Sequence, residues 1–133
     1  MDMKEYFEEH KGLGVLSTAD GGGRVNAAIY ARPHCFEDGT VGFIMPRRLT
    51  YSNLQANGYA TYLFREDSPA DAPRYDGVRL YLKKVAEDDD QKRISEMRRV
   101  TYGDERDGRH LVIFAIEKRL PLVGDNAGAK SPG

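Results

Sequence analysis

The segment Pro46-Arg47-Arg48-Leu49-Thr50-Tyr51-Ser52-Asn53-Leu54 carries the densest chemistry in the chain. It places two guanidinium groups and two hydroxyls at the start of a predicted helix, directly after a predicted strand. Free N–H groups at a helix start suit a phosphate, guanidinium adds bidentate recognition, and Thr or Ser hydroxyls add short hydrogen bonds. No acid falls between Thr40 and Gln55, so Arg47 and Arg48 leave a local charge of +2. On pattern alone the same residues read slightly sooner as a helix capped by Thr50 with two solvated arginines. A second segment, Arg24-Val25-Asn26-Ala27-Ala28-Ile29-Tyr30, offers small side chains where a flat ring could approach a strand. Asn26 could hydrogen-bond a heteroaromatic edge there. Taken by itself, the segment reads first as an ordinary strand whose small residues face a neighbour.

These segments need a scaffold, and the patterning supplies one. The opening predicts a helix, with Asp2 and Glu5 at capping-box spacing, Tyr6 and Phe7 as its apolar stripe and Gly12 placed to end it. Period-2 segments rich in β-formers then predict strands over Leu13 to Thr18, Arg24 to Arg32, Val41 to Met45, Tyr59 to Arg65, Val78 to Val85 and Leu111 to Ile116. Asp20-Gly21-Gly22-Gly23 and Glu37-Asp38-Gly39-Thr40 mark hairpin turns. The first of these lacks the spacing of a dinucleotide loop and joins two strands. A short helix is expected within Arg47 to Asn57, and another from Asp90 to Val100, whose acids at the start and arginines at the end suit its dipole. Six short strands with peripheral helices predict a mainly β fold, a small six-stranded antiparallel barrel. We expect one domain over residues 1–124 and a mobile tail over 125–133.

Composition narrows the function. The chain has 133 residues with 20 Lys+Arg against 21 Asp+Glu, a net charge of −1 that does not suit a coat for nucleic acid or anionic membrane. A single cysteine, Cys35, excludes an internal disulfide framework and a cysteine-rich metal site. No apolar stretch reaches membrane-span length, and the acidic, aromatic start is unlike a signal peptide. The expectation is a soluble, cytoplasmic protein. His34 and Cys35 are adjacent while His10 and His110 lie far off, so no metal-ligand spacing emerges. Cys35 reads as a half-buried structural thiol, and Asp88-Asp89-Asp90 as a dipole-favoured helix start.

Taken together, the segments resemble the pyridoxamine 5′-phosphate oxidase-like, FMN-binding split-barrel family, in particular its small flavin-nucleotide-binding members. The resemblance rests on Gly14 to Asp20, Val25 to Pro33, the Asp38-Gly39 turn and Arg47 to Asn57, then on Ala60 to Phe64, Gly77 to Leu82 and Leu120 to Gly124. It implies a Greek-key split barrel and a homodimer with FMN in the interface cleft. By the same resemblance Asn26, Ala27 and Ala28 would line the isoalloxazine, and Ile44 and Met45 would lie beneath the ribityl chain. Arg47, Arg48 and Thr50 would hold the phosphate, with Ser52 or Asn53 in support. Thr50 stands where many members carry lysine, and Arg48 is expected to supply that charge. Arg79 and the Pro121-Leu122-Val123 turn are candidates to reach the partner subunit.

The functional expectation is an FMN-dependent oxidoreductase or electron carrier. Pyridoxamine phosphate oxidation is not expected, because no second basic phosphate site can be assigned. A different class of reading is a non-catalytic OB-like barrel that binds oligonucleotide, against which the neutral charge and the acids of Glu66 to Asp76 count. A flavin storage or sensor protein, or a barrel that has changed cofactor to deazaflavin or haem, is not separated from the first by sequence.

Overall fold

The structure is a computed structural model that describes residues 2–97 and 108–125. The first helix, α1 (Met3–Glu9), begins where the Asp2 carboxylate accepts the Glu5 N–H at 2.8 Å, and ends where His10 turns extended. Gly12 does not terminate this helix. It opens β1 (Gly12–Ala19), where a Cβ would lie 2.0 Å from the Arg65 carbonyl oxygen, so the position requires glycine for close approach.

The Asp20 carboxylate accepts the Gly22 and Arg24 N–H groups, each at 2.9 Å, and Gly23 takes a positive φ of 87°. That local bonding turns the chain into β2 (Val25–Ile29). A second turn joins β3 (His34–Cys35) to β4 (Val41–Pro46). Here Asp38 accepts both the Thr40 hydroxyl and the Thr40 N–H, the hydroxyl bond being the larger cause that holds its carboxyl below the ordinary value. Helix α2 (Leu49–Ala56) leads to β5 (Tyr59–Glu66) and β6 (Gly77–Asp88), and α3 (Gln91–Met97) precedes β7 (Arg109–Pro121).

All pairings are antiparallel, in the order β2-β1-β5-β6-β7-β4-β3. Strand β4 lies beside β7 and reaches β5 only through α2, which makes β4 to β7 a Greek key. The β6–β7 ladder shifts register at Tyr81/Leu82 and at Lys84/Ala86, and such bulges bend long strands. The sheet therefore curls until its ends meet. Tyr30, just past β2, packs its ring 6.0 Å from Phe43 of β4, from the other side of the sheet order. No ladder joins β2 to β3, so the barrel is split. Its interior is filled by Leu16, Phe43, Met45, Tyr62, Phe64, Leu80 and Phe114, and the α1 residues Tyr6 and Phe7 close one end.

The mainly β, antiparallel expectation holds, but seven strands replace six. The added strand is β3, two residues long and too short to leave a periodic pattern. The second strand stops at Ile29 rather than Arg32, because Arg32 donates to the Phe7 and His10 carbonyls at 2.5 and 3.1 Å and draws the chain to the end of α1. The last strand runs to Pro121, well beyond Ile116. The expected helix end at Val100 and the tail from residue 126 onward lie outside the described residues. No helix among the described residues is long and apolar enough to cross a membrane.

Candidate functional site

Arg47 and Arg48 occupy the corner between β4 and α2, and both are exposed. With Pro46, Asp89, Gln91, Gly108 and His110 they line a cleft of about 660 Å³. The N-cap of α2 is Arg48, in extended conformation with no side-chain cap bond, so Thr50 is not the cap. The first-turn N–H groups thus have no side-chain acceptor at the cap, the arrangement that leaves them for an anion.

Thr50 and Asn53 serve a different end. Thr50 is buried, and its hydroxyl hydrogen-bonds the Tyr30 phenol. Burial pushes that phenol above the ordinary tyrosine value, opposed by the Thr50 bond and by the positive charges of Arg48 and Arg109. Asn53 is buried too, and its amide donates to Thr18 Oγ1 at 3.1 Å. These two side chains lock α2 onto β1 and the Tyr30 corner. Ser52 stays exposed on the helix surface.

The β2 residues separate by strand alternation. Asn26 and Ala28 are half-buried on the face that Leu16 and Thr18 share, whereas Ala27 lies outward between Val25 and Ile29. Their side chains cannot all line one ring face, but β2 is an edge strand whose far side has no ladder partner. Met45 is wholly buried in the core, so only its backbone can meet a ligand, and Ile44 takes the opposite face of β4 beside Leu111.

Sequence reasoning missed the far wall of the cleft. The β4–β7 ladder sets His110 opposite Met45 and Arg109 opposite Pro46. His110 Nδ1 lies 2.6 Å from the Asp89 carboxylate, and its ring stacks on Tyr51 at 4.1 Å. The Arg47 guanidinium lies 6.0 Å from the Tyr51 ring centre. The Tyr51 phenol is pushed up by desolvation first, then by the charges of Glu87 and Asp89, against Arg47. The Gln91 amide donates to the Arg109 carbonyl at 2.7 Å and accepts the Arg109 N–H at 3.1 Å, holding the start of α3 on β7. The sequence signs of this wall were a histidine and an acidic run, both far removed from the arginines.

The outer face of the sheet carries an apolar patch near β2. Ile29, Val15 and Leu63 stand in one cross-strand row, and Ala27, Ser17, Thr61 and Tyr81 in the next. Val25 and Ile29, at the two ends of β2 on the same face, are 78% and 73% exposed, a large apolar exposure for one short strand. A shallow hollow of about 240 Å³ opens here beside Tyr59 and Tyr81. Arg79 is engaged within its own chain, donating to the Pro121 carbonyl at 2.9 Å and to the Gly124 carbonyl. Cys35 is a half-buried free thiol packed against the core. Among the described residues, no group of three or more His, Cys, Asp or Glu is placed to hold a metal.

No protein-family model and no curated protein matches the chain. Solved structures do. An FMN-binding protein from Syntrophomonas wolfei aligns with a TM-score of 0.70 at 23% identity, over 92% of this chain and 84% of that one. A provisionally assigned pyridoxamine 5′-phosphate oxidase from Listeria innocua aligns at 0.60 with 18% identity, over 89% and 93% of the two chains. The styrene monooxygenase flavin reductase of Pseudomonas putida S12 aligns at 0.55 with 10% identity, over 89% and 83%. At these identities the likeness establishes architecture, and it agrees with the curled, unclosed sheet described above. The chain has the fold of the pyridoxamine 5′-phosphate oxidase-like, FMN-binding split barrels.

Proposed function

We propose that this chain is an FMN-binding protein, an oxidoreductase or electron carrier of the cytoplasm that works as a homodimer with the flavin at the subunit interface. One observation carries the reading: Arg47 and Arg48 stand at an α2 start without a side-chain cap, facing a cleft, in a barrel whose structural neighbours include a protein described as FMN-binding. The residues present fit the group. Two guanidiniums and free first-turn N–H groups match a phosphate dianion, and the open edge of β2 offers backbone donors and acceptors to the polar rim of a flat ring.

Thr50 and Asn53 act indirectly, by fixing the helix that presents Arg48, while Ser52 lies within reach of solvent and ligand. Ala27 and its neighbours Val25 and Ile29 belong to the face that a second copy covers, and Asn26 and Ala28 to the face toward α2. FMN, when bound, supplies one- or two-electron transfer, and the protein's part is to bind, orient and shield it. Hydride or electron shuttling suits this site better than a demanding oxidation with its own substrate-phosphate pocket.

The double variant Arg47→Ala/Arg48→Ala tests the reading. Losing two charge-assisted contacts should weaken FMN by roughly 100-fold or more while riboflavin, which lacks the phosphate, changes little. Equal losses for both ligands would place the phosphate elsewhere. Size-exclusion chromatography reads the dimer directly, and a monomer with a full flavin complement would contradict the interface.

A further inference from the structure

We propose that His110, poised by Asp89, is a third phosphate-binding group of this site and that it binds as the imidazolium. The inference rests on the flavin reading above and extends it to a residue on the opposite wall of the cleft.

His110 is only 5% exposed, yet it is among the residues that line the cleft bordered by Arg47 and Arg48. Its Nδ1 is taken by Asp89 at 2.6 Å, and one face is covered by Tyr51. Among the described residues Nε2 has no hydrogen-bond partner, while Nδ1 and one ring face are held. The carboxylate accepts from Nδ1–H, which sets the tautomer. In the neutral ring Nε2 is then a lone pair, which repels a phosphate oxygen; in the imidazolium it is a donor. Binding of a phosphate dianion and uptake of one proton by His110 must therefore favour each other.

The groups that face the ring are consistent with this linkage. Arg47 and Arg48 approach from the β4–α2 corner, Tyr51 from α2, Asp89 from the segment after β6, Gln91 from α3, and Arg109 precedes it on β7. Glu87 lies near enough to act on Tyr51. Asp89 offsets the charge that His110 gains, and the two arginines remain for the ligand. The Gln91 clamp on the Arg109 backbone holds the start of α3 on β7, next to the pair.

Calorimetry of FMN and riboflavin binding at pH 8, in buffers of differing ionisation enthalpy, reads the proton directly. FMN binding should be accompanied by proton uptake, riboflavin binding by none, and His110→Gln should abolish the uptake and weaken FMN about tenfold. Asp89→Asn should weaken FMN in the same direction while sparing riboflavin. Inorganic phosphate, titrated while the His110 ring nitrogens are followed by NMR, tests the site without flavin: Nε2 should move to its protonated position. If FMN does not bind but phosphate still shifts His110, the flavin reading fails and the anion site stands. FMN binding without proton uptake, with phosphate leaving the His110 ring nitrogens unchanged, would overturn the inference and leave the flavin reading intact.

Discussion

Replacing Tyr6 by Phe removes one oxygen and tests how the N-terminal helix is fixed to the barrel. The Tyr6 hydroxyl donates to the Glu66 carboxylate at 2.5 Å, across 60 residues of sequence. Its ring is buried, stacks on His10 and lies beneath the Arg119 guanidinium at 5.4 Å. A hydrogen bond to a charged acceptor contributes about 1.5–3 kcal/mol. Glu66 retains His10 Nε2 at 3.7 Å and some exposure to water, which puts the loss at the lower end, about 1.5–2 kcal/mol.

The same contact predicts a pH signature. Burial, then the Glu66 bond, pushes the Tyr6 phenol above its ordinary value of 10.0. An acid whose folded-state value is raised keeps its proton while the unfolded chain releases it. Its contribution is therefore complete below pH 10 and drains as pH rises further, by up to about 1.4 kcal/mol per unit. Urea unfolding at pH 7 and pH 11 measures both effects. The variant should be weaker by about 1.5–2 kcal/mol at pH 7, with the gap closing by about 1.4 kcal/mol at pH 11. A gap below about 0.5 kcal/mol at pH 7, or one that does not narrow, would refute the reasoning.

Three further substitutions probe the core beside the site. A Cβ at Gly14 would lie 1.9 Å from the Tyr62 hydroxyl and 2.5 Å from the Tyr30 carbonyl oxygen, so Gly14→Ala should cost at least about 3 kcal/mol in thermal or urea unfolding, since overpacking here also breaks the part-buried Tyr62–Tyr30 hydrogen bond. Gly42→Ala, whose Cβ would meet side chains at 2.9 Å, should cost less. Met45→Ala should lose about 2–5 kcal/mol to a core cavity while FMN affinity of the folded protein stays within about threefold, because the side chain points inward. A large affinity loss there would show that Met45 meets the ligand after all.

Much of this was legible in short-range pattern. Asp2 and Glu5 marked the first helix, and the Gly-rich and Asp38-Gly39 turns marked two hairpins, because capping and turn chemistry are decided within four residues. What eluded the sequence depends on partners distant in the chain. β3 exists only because β4 pairs with it. Arg32 leaves the strand for two helix carbonyls, and Gly12 is chosen by the β5 backbone rather than by the helix before it. At the site, Arg47 and Arg48 were evident as an isolated pair of cations, but Thr50 and Asn53 looked equally exposed until α2 packed on β1. His110 sits more than 60 residues from Arg47, and only the β4–β7 ladder brings them to one cleft.

The central claim is flavin binding through the phosphate, and it is read most directly by titrating the purified protein with FMN and riboflavin while following the flavin absorption bands. The account predicts saturation at one FMN per chain in a dimer, with riboflavin bound distinctly more weakly. A colourless protein that takes up neither flavin, yet retains an oligonucleotide at moderate salt, would contradict it.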